Sequence, residues 1–330
     1  MNETTKIKVR DQGIDVLRWM AITGIIIVHV NPPLFWQQIR SFDVPLMVLL
    51  SGICFGTTKI FSKEYYKKRF IRLVIPSWIF LSFYFLITYI SSETIEIKRI
   101  VMCYTFMTSW YFWIIRILFV MALLAPLFAL LSNKIDKSRL FLIIILLIVI
   151  SEVLAKISDD YLYVVGVMFI PYATYYLIGM NLYRFSTPTV LKTGIILLCI
   201  YVLIAIYLYT ENGRYILTSS QKYPPQFYYS SYAIGVSLVL YSYRNKIVSG
   251  LNRIKLLNFT LFIGSNTFWI YLWHIPLADY MINRFAPLYS FIVVYGFAII
   301  LTFIQSKVVN AVCQHTEKNV GKFIRMIFLG

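Results

Sequence analysis

The sequence predicts an all-helical protein that is embedded in a membrane and crosses it about ten times. Three observations support this prediction: 59% of the 330 residues are hydrophobic and only 14% are charged, the apolar residues form long runs, and Lys and Arg collect between the runs. A soluble domain is usually about half apolar and a quarter charged. A soluble fold of this length cannot bury so much apolar surface, so lipid is the expected surrounding of most of the chain.

Ten apolar runs come close to the roughly 20 residues that a helix needs to cross the hydrocarbon layer. They are predicted at residues 14–30, 41–58, 73–91, 110–131, 140–156, 160–183, 190–210, 226–243, 259–280 and 286–307. The first run ends at Asn31-Pro32-Pro33 without a small-residue cleavage pattern, so it is interpreted as a retained span. No fixed repeat or low-complexity tract divides the chain, and residues 1–330 are treated as a single transmembrane domain.

The distribution of positive charge predicts the orientation. If the N-terminus lies in the cytoplasm, the inner segments hold 23 of the 31 Lys and Arg residues and the outer segments hold seven. Cytoplasmic loops are enriched in Lys and Arg. The chain is therefore expected to be a multi-pass protein of the cell's inner or plasma membrane with both termini in the cytoplasm. Because the net charge of +17 lies in short loops between apolar runs, no nucleic-acid partner is expected.

Several ionisable residues fall inside the predicted spans at a similar depth, toward the outer side. They are His29, Asp43, Arg116, Glu152, His274 and Asp279. A charge in the hydrocarbon costs at least about 2.5 kcal/mol, so such residues are functional candidates. The set predicts a buried polar cavity that opens outward. The alternative interpretation is that some of these residues pair as structural ion pairs.

His29 is the strongest catalytic candidate. An imidazole can accept and return a proton near neutral pH. Arg18 lies eleven positions earlier, which is about 16 Å along a helix. If Arg18 lies at the inner interface, His29 lies at or beyond the middle of a core about 30 Å thick. Such a histidine would meet substrates from both sides, although a lone histidine is more often a satisfied core residue.

The basic segment at the predicted start of the third span suggests a phosphate site. Arg69 and Arg72 are three positions apart and share a helix face, with Lys68 beside them. Guanidinium groups bind phosphate with two hydrogen bonds, as a nucleotide-bearing donor requires. The alternative is a cluster that binds lipid headgroups. The chain contains no P-loop, nucleophile elbow, HExxH motif or paired cysteines, so neither ATP-driven transport nor a metal site is expected.

Five segments together resemble the acyltransferase-3 family of membrane acyltransferases. Residues 13–21 (GIDVLRWMA) followed by Val28-His29 resemble the family's first span, with its basic residue and its histidine. The other four segments are residues 44–52 (VPLMVLLSG), 65–76 (YYKKRFIRLVIP), 109–113 (SWYFW) and 270–276 (IYLWHIP). The sequence departs from the family pattern at Asp11-Gln12-Gly13 and at Met47, where a phenylalanine is frequent.

The resemblance implies an enzyme of about ten spans that moves an acyl group, usually acetyl, from cytoplasmic acyl-CoA to a sugar hydroxyl. By position, His29 corresponds to the catalytic histidine and Arg18 to its motif partner, while Arg69 and Arg72 correspond to donor contacts. Acceptors in the family include O-antigen, capsule, peptidoglycan and exopolysaccharide units. The expected partners are therefore acetyl-CoA, a glycan or lipid-linked sugar, and membrane lipids.

This assignment gives a mechanistic hypothesis in which His29 removes the proton of the attacking hydroxyl. Transfer through an acyl-imidazole on His29 is the second route. Further candidates for the oxyanion or the substrate are Arg116, Ser51, Trp110, Tyr111 and His274, and Asp15, Asp43 and Glu152 are candidates to orient the histidine or bind sugar. Two rival functions remain: a lipid-linked glycan flippase or sugar transporter, and a non-catalytic subunit of a polysaccharide export complex.

Overall fold

The computed structural model describes residues 10–56, 63–91, 95–108, 110–157 and 159–329, and the regular elements of these ranges are helices. In order, helices α1 to α14 are Gln12–Val28, Leu34–Ile39, Asp43–Gly56, Lys63–Ile90, Ile97–Tyr104, Trp113–Lys134, Lys137–Leu154, Tyr161–Asn181, Thr187–Asn212, Phe227–Arg253, Leu257–Ser265, Thr267–Met281, Pro287–Gln314 and Lys318–Phe328. Short 3-10 segments cover Arg40–Phe42, Leu182–Arg184 and Thr218–Gln221. The prediction of an all-helical fold is confirmed for the described ranges.

Six helical segments in this part of the chain are long and apolar enough to cross a membrane. They are Leu34–Gly56, Lys63–Ile90, Trp113–Lys134, Tyr161–Arg184, Thr187–Asn212 and Pro287–Gln314. The other four predicted spans coincide with α1, α7, α10 and the pair α11–α12, which are shorter, more polar or interrupted. The multi-pass character therefore has direct support, and the count of ten stays a prediction.

The predicted boundaries differ from the observed helices in two ways. Segments predicted as loops contain the short helices α2 and α5 and the terminal helix α14, and residues 57–58 and 109 lie outside the described ranges. The predicted ninth span is two helices, because the Asn266 side-chain amide donates to the Phe262 carbonyl at 2.8 Å and to the Ser265 hydroxyl at 3.0 Å. These local bonds compete with the backbone ladder and end α11.

Helix α1 lies at the centre of the bundle and packs against α3, α10, α11, α12 and α13. Its Leu17, Ile22 and Ile26 side chains are fully buried. The contact with α11 brings the two backbones together: a Cβ atom on Gly264 would overlap the carbonyl of Asp15. Small residues allow such close approach between helices in membranes. Helix α1 is therefore held in the middle of the bundle by the helices packed around it.

Two asparagines join the C-terminal ends of α1 and α12. Asn31 follows α1 with φ 51° and Asn283 follows α12 with φ 61°, and asparagine tolerates this left-handed conformation better than most residues. The Asn31 side-chain amide donates to the Asn283 side-chain oxygen at 3.0 Å. Because His29 is the C-cap of α1, this contact holds it beside the helix that carries His274.

Candidate active site

Two of the three histidines of the chain meet between α1 and α12. His29 Nδ1 lies 2.8 Å from His274 Nε2, and the two rings stack with their centroids 4.9 Å apart. His274 is fully buried, whereas His29 is half-buried. The histidine that sequence singled out is therefore the more accessible member of a hydrogen-bonded pair.

The hydrogen bonds of this pair determine which nitrogens carry protons. His274 Nδ1 contacts the carbonyl oxygen of Tyr271, and because a carbonyl only accepts, Nδ1 of His274 must carry the hydrogen. Nε2 of neutral His274 is then the acceptor, and His29 Nδ1–H donates to it. Neutral His29 is left with an unprotonated Nε2. His274 thus orients His29 so that Nε2 of His29 can act as a base.

A small cavity of about 40 Å³ opens beside His29. It is lined by Ile25, Val28, His29, Arg40, Asp43, Val44, Trp113, Ile114, Lys222, Tyr223 and Tyr271. A water molecule occupies about 30 Å³ of liquid volume. The cavity therefore accommodates a group of few atoms, and a larger substrate requires side chains such as the half-exposed Tyr223 to move.

The polar lining of this cavity carries an excess positive charge. Arg40 and Asp43 are both buried and form an ion pair at 2.9 Å, so their charges offset each other. Lys222 is 6% exposed, and its ammonium group lies 5.3 Å from the ring centres of both Trp113 and Tyr223. Within the described ranges no ion pair is formed by Lys222. A buried cation without a carboxylate favours a negative charge beside it.

Asp279 holds the aromatic wall of the site in place. Its carboxylate accepts from Tyr84 at 3.1 Å, from Trp110 at 3.4 Å and from Tyr111 at 3.2 Å. The Tyr111 ring lies edge-on to the His29 ring at 4.5 Å. The predicted residues Trp110 and Tyr111 are therefore at the site, but in this arrangement both use their polar hydrogens on Asp279.

Arg18 lies in the N-terminal half of α1, away from the histidine pair. It donates to Asp15 at 3.1 Å and to the Cys54 sulfur at 3.1 Å, and Asp15 is also paired with Arg10. Asp15 therefore belongs to the N-terminal end of α1, and the idea that it orients His29 is wrong. Arg18 instead lies next to the C-terminal end of α3.

The predicted donor residues on α4 face two different directions. The Arg69 guanidinium lies 5.2 Å from the ring centre of Tyr65, whose ring contacts Phe55 of α3. Lys68 and Arg72 instead line a cavity of about 730 Å³ against α14. Arg69 thus lies near the C-terminal end of α3, as Arg18 does, while Lys68 and Arg72 lie on another side of α4.

Three further predicted residues lie away from the His29 cavity. Arg116 donates to the Phe106 carbonyl at 2.9 Å, and the Ser51 hydroxyl donates to the Met47 carbonyl at 2.9 Å. Glu152 accepts from the backbone N–H of Phe227 at 2.8 Å, which satisfies one free donor at the start of α10. Each of the three has a structural partner in its own location.

Sequence reasoning did not identify Arg40 and Lys222 as site residues. Both were counted as outer-loop charges, because charge counting does not distinguish a cation that folds back into the bundle from one in water. The spacing of Arg40 and Asp43, three positions apart, is the one signal that indicates their pairing. Lys222 has no comparable signal.

A comparison with known protein families gives a match. A family model described as an acyltransferase domain, that of the acyltransferase-3 family, matches residues 11–309. No curated protein and no solved structure matches the chain. The matched range includes α1 through most of α13 and therefore both histidines of the pair. Because the family model covers nearly the whole sequence, the chain belongs to the acyltransferase-3 family of membrane acyltransferases.

Proposed function

We propose that this acyltransferase moves an acetyl or similar small acyl group from cytoplasmic acyl-CoA to a hydroxyl of a cell-surface or lipid-linked carbohydrate. The proposal includes ten spans with both termini in the cytoplasm of the cell that carries it. The observation that supports it most is the hydrogen-bonded chain from Tyr271 through His274 to His29, which leaves Nε2 of neutral His29 unprotonated in a residue that lines a cavity.

In the proposed reaction, Nε2 of His29 accepts the proton of the sugar hydroxyl while the oxygen attacks the thioester carbonyl carbon. The tetrahedral intermediate then collapses, the carbon–sulfur bond breaks, and the thiolate takes the proton back from His29. The imidazolium that forms in between keeps its hydrogen bond to His274 Nε2. Sugar ester and CoA thiol are the products, and His29 returns to its starting state.

Lys222 is proposed to stabilise the oxyanion. Of the cations lining the cavity, Arg40 is offset by Asp43, whereas Lys222 is buried and carries an uncompensated charge. A fixed donor that faces developing negative charge typically contributes a factor of about 10² to 10³ in rate. This assignment replaces Arg116, whose guanidinium donates to the Phe106 carbonyl.

The donor is proposed to enter from the inner ends of α1, α3 and α4. Arg18 donates to Cys54 of α3, and Arg69 lies over the Tyr65 ring that contacts Phe55 of α3. Lys68 and Arg72, which line the cavity against α14, are not assigned to this donor site. Guanidinium groups suit the diphosphate of CoA. From Arg18 the pantetheine arm follows α1 outward for about 16 Å to reach His29.

The test uses membranes that contain the purified chain, acetyl-CoA labelled in the acetyl group, and a glycan acceptor. Wild type is expected to label the glycan, and His29→Ala is expected to lose about 10²- to 10⁴-fold in rate because the general base is gone. His315→Ala is the matched control, since His315 is exposed at the end of α13. Movement of unlabelled glycan across the membrane without label transfer would identify a carrier and overturn the proposal.

A second arm of the same experiment separates the two routes for the acyl group. If acceptor is withheld, direct transfer predicts no label on the protein. A stable label that disappears in His29→Ala would instead demonstrate an acyl-imidazole intermediate. Both results keep the acyltransferase activity, and they differ only in the path that the acyl group takes.

A further inference from the structure

Helix α14, which lies beyond the last residue matched by the family model, presents a row of positive charges to α4. Lys318, Lys322 and Arg325 recur at helical spacing and line the cavity of about 730 Å³ together with Lys68 and Arg72. Among the described residues, no acidic side chain lines this cavity. Within the described ranges, Lys68 pairs with the exposed Glu64 at 3.4 Å, and the other four cations make no ion pair.

The two basic rows are held together by specific contacts of α14. Trp269 Nε1 donates to the Ile327 carbonyl at 3.1 Å, and Gln305 Nε2 donates to the Phe328 carbonyl at 2.7 Å. The Trp269 and Phe328 rings stack at 5.7 Å. These contacts hold α14 against α12 and α13, with its basic residues beside those of α4. An anion between the rows would offset their repulsion.

An apolar groove of about 560 Å³ lies on the other face of α14. Its lining is formed by Ile79, Phe80, Phe83, Trp269, Trp273, Leu301, Ile304, Gln305, Val308, Val309, Val312, Ile324 and Phe328. On α13 the groove reaches Val312, and the basic cavity begins at the next residue, Cys313. On α4 the groove begins seven residues after Arg72, which is about 10 Å farther along the helix. The basic cavity therefore adjoins the apolar groove along both α4 and α13.

Among the described residues that line the groove, no hydrogen-bonding side chain is left without a partner. Gln305 is the one amide side chain among them, and both its oxygen and its nitrogen are bonded: the oxygen accepts from Trp273 Nε1 at 2.7 Å, and the nitrogen donates to Phe328. A pantetheine arm, which carries two amide groups, would leave them unpaired in this groove. A hydrocarbon chain has no such cost. The apolar part of the occupant is therefore an acyl chain.

We propose that α4, α13 and α14 form a binding site for an anionic phospholipid of the inner leaflet. The headgroup phosphate lies between the α4 and α14 cations, and one acyl chain lies in the groove. Five cations favour a headgroup with net negative charge over a zwitterionic one, whose choline or ammonium group they repel. The site is separate from the carboxyl-ester chemistry at His29 and does not depend on it.

The test measures lipids that remain bound to the purified chain in detergent by native mass spectrometry, with phosphatidylglycerol and phosphatidylcholine as probes. The triple variant Lys318→Gln, Lys322→Gln, Arg325→Gln is expected to lose roughly 100-fold in phosphatidylglycerol affinity, since each basic residue near an anionic headgroup contributes about fivefold. Lys246→Gln, Arg253→Gln, Lys255→Gln removes the same charge from the predicted inner side and is expected to change binding less than about twofold.

A second variant tests the acyl-chain groove without touching the charges. Ile304 lines the groove and is 51% exposed, so Ile304→Trp fills the groove without disturbing the core; its control is Ile300→Trp, at a 59% exposed position one turn away that does not line it. The groove variant is expected to weaken phosphatidylglycerol binding roughly tenfold, the equivalent of about two unburied methylene groups. Displacement of phosphatidylglycerol by free CoA, or equal binding by both charge variants, would overturn the proposal.

Discussion

The His29 cavity and the α14 cavity handle polar groups in opposite ways. At His29, the two imidazoles bond to each other, Arg40 pairs with Asp43, Asp279 accepts from Tyr111, and only about 40 Å³ is free. At α14, five cations surround about 730 Å³ and have almost no partners within the protein. The polar groups at His29 have partners within the protein before any substrate binds, whereas the cations at α14 would gain their partner from the proposed lipid.

This difference indicates how each region should respond to substitution. A pre-assembled site loses rate when a single hydrogen bond is removed, because the remaining groups no longer hold their positions. A site that relies on summed charge loses affinity gradually, roughly in proportion to the number of charges removed. Substitutions in the two regions should therefore separate into effects on kcat and effects on ligand affinity.

The largest effect after loss of His29 itself is expected at Lys222. Lys222→Met keeps most of the aliphatic side chain and removes the charge, so kcat should fall about 10²- to 10³-fold if the ammonium group stabilises the oxyanion. Lys222→Arg keeps the charge and should retain more activity than Lys222→Met. The measurement is acetyl transfer at saturating donor. Equal rates for Lys222→Met and wild type would show that Lys222 does not stabilise the oxyanion.

A smaller effect is expected at His274, because it positions His29 without touching substrate. His274→Ala removes one hydrogen bond, which is worth about 1 kcal/mol, and also the control of the His29 tautomer, so kcat should fall about tenfold or more. His274→Gln can still accept from His29 and should restore part of kcat. The donor KM should stay constant in both variants. A rise in KM with unchanged kcat would contradict a positioning role.

Arg69 and Arg325 provide a direct contrast between the proposed donor site and the α14 cavity. Arg69→Gln removes a charge-assisted contact worth about 1.5–3 kcal/mol from the proposed donor site, so the KM for acetyl-CoA should rise roughly 10- to 100-fold. Arg325→Gln removes the same charge from the α14 row and should leave that KM within about twofold. Steady-state kinetics with acetyl-CoA distinguishes the two. Equal increases in KM would show that the two basic surfaces form one donor site.

The smallest effect is expected at the asparagine contact between α1 and α12. Asn283→Ala removes an exposed hydrogen bond of 3.0 Å, whose net contribution is about 1 kcal/mol, so the rate should fall no more than about fivefold. Asn283→Gly keeps the left-handed backbone available and separates the side chain's role from backbone strain. If Asn283→Gly behaves as wild type, the hydrogen bond does not contribute to holding the histidines.

The sequence was sufficient to predict the parts of this molecule that depend on one-dimensional pattern. The apolar runs predict the long helices, and the position of His29 at the C-terminal end of α1 follows from its distance to Arg18. Spacing also predicts that Arg69 and Arg72 share a helix face; both lie on α4, but Arg69 lies over Tyr65 whereas Arg72 lines the cavity against α14. In each case the relevant neighbours are within a few helical turns along the chain.

The parts that sequence did not predict depend on where side chains from distant segments meet. His29 and His274 are 245 positions apart, and no pattern along the chain indicates that their nitrogens are hydrogen-bonded. Lys222 lies in a segment between α9 and α10 that resembles an ordinary outer loop, yet it is buried beside Trp113. Short amphipathic helices such as α14 also escape a search for long apolar runs.

The contact between Gly264 and the Asp15 carbonyl has a consequence for substrate traffic. Two backbones that touch leave no gap between them, so no substrate can pass between α1 and α11 at the level of Asp15. If acyl-CoA enters as proposed, its arm has to pass along another flank of α1, such as the one where Arg18 contacts Cys54 of α3. The close contact at one glycine thereby limits the routes by which the proposed donor can approach His29.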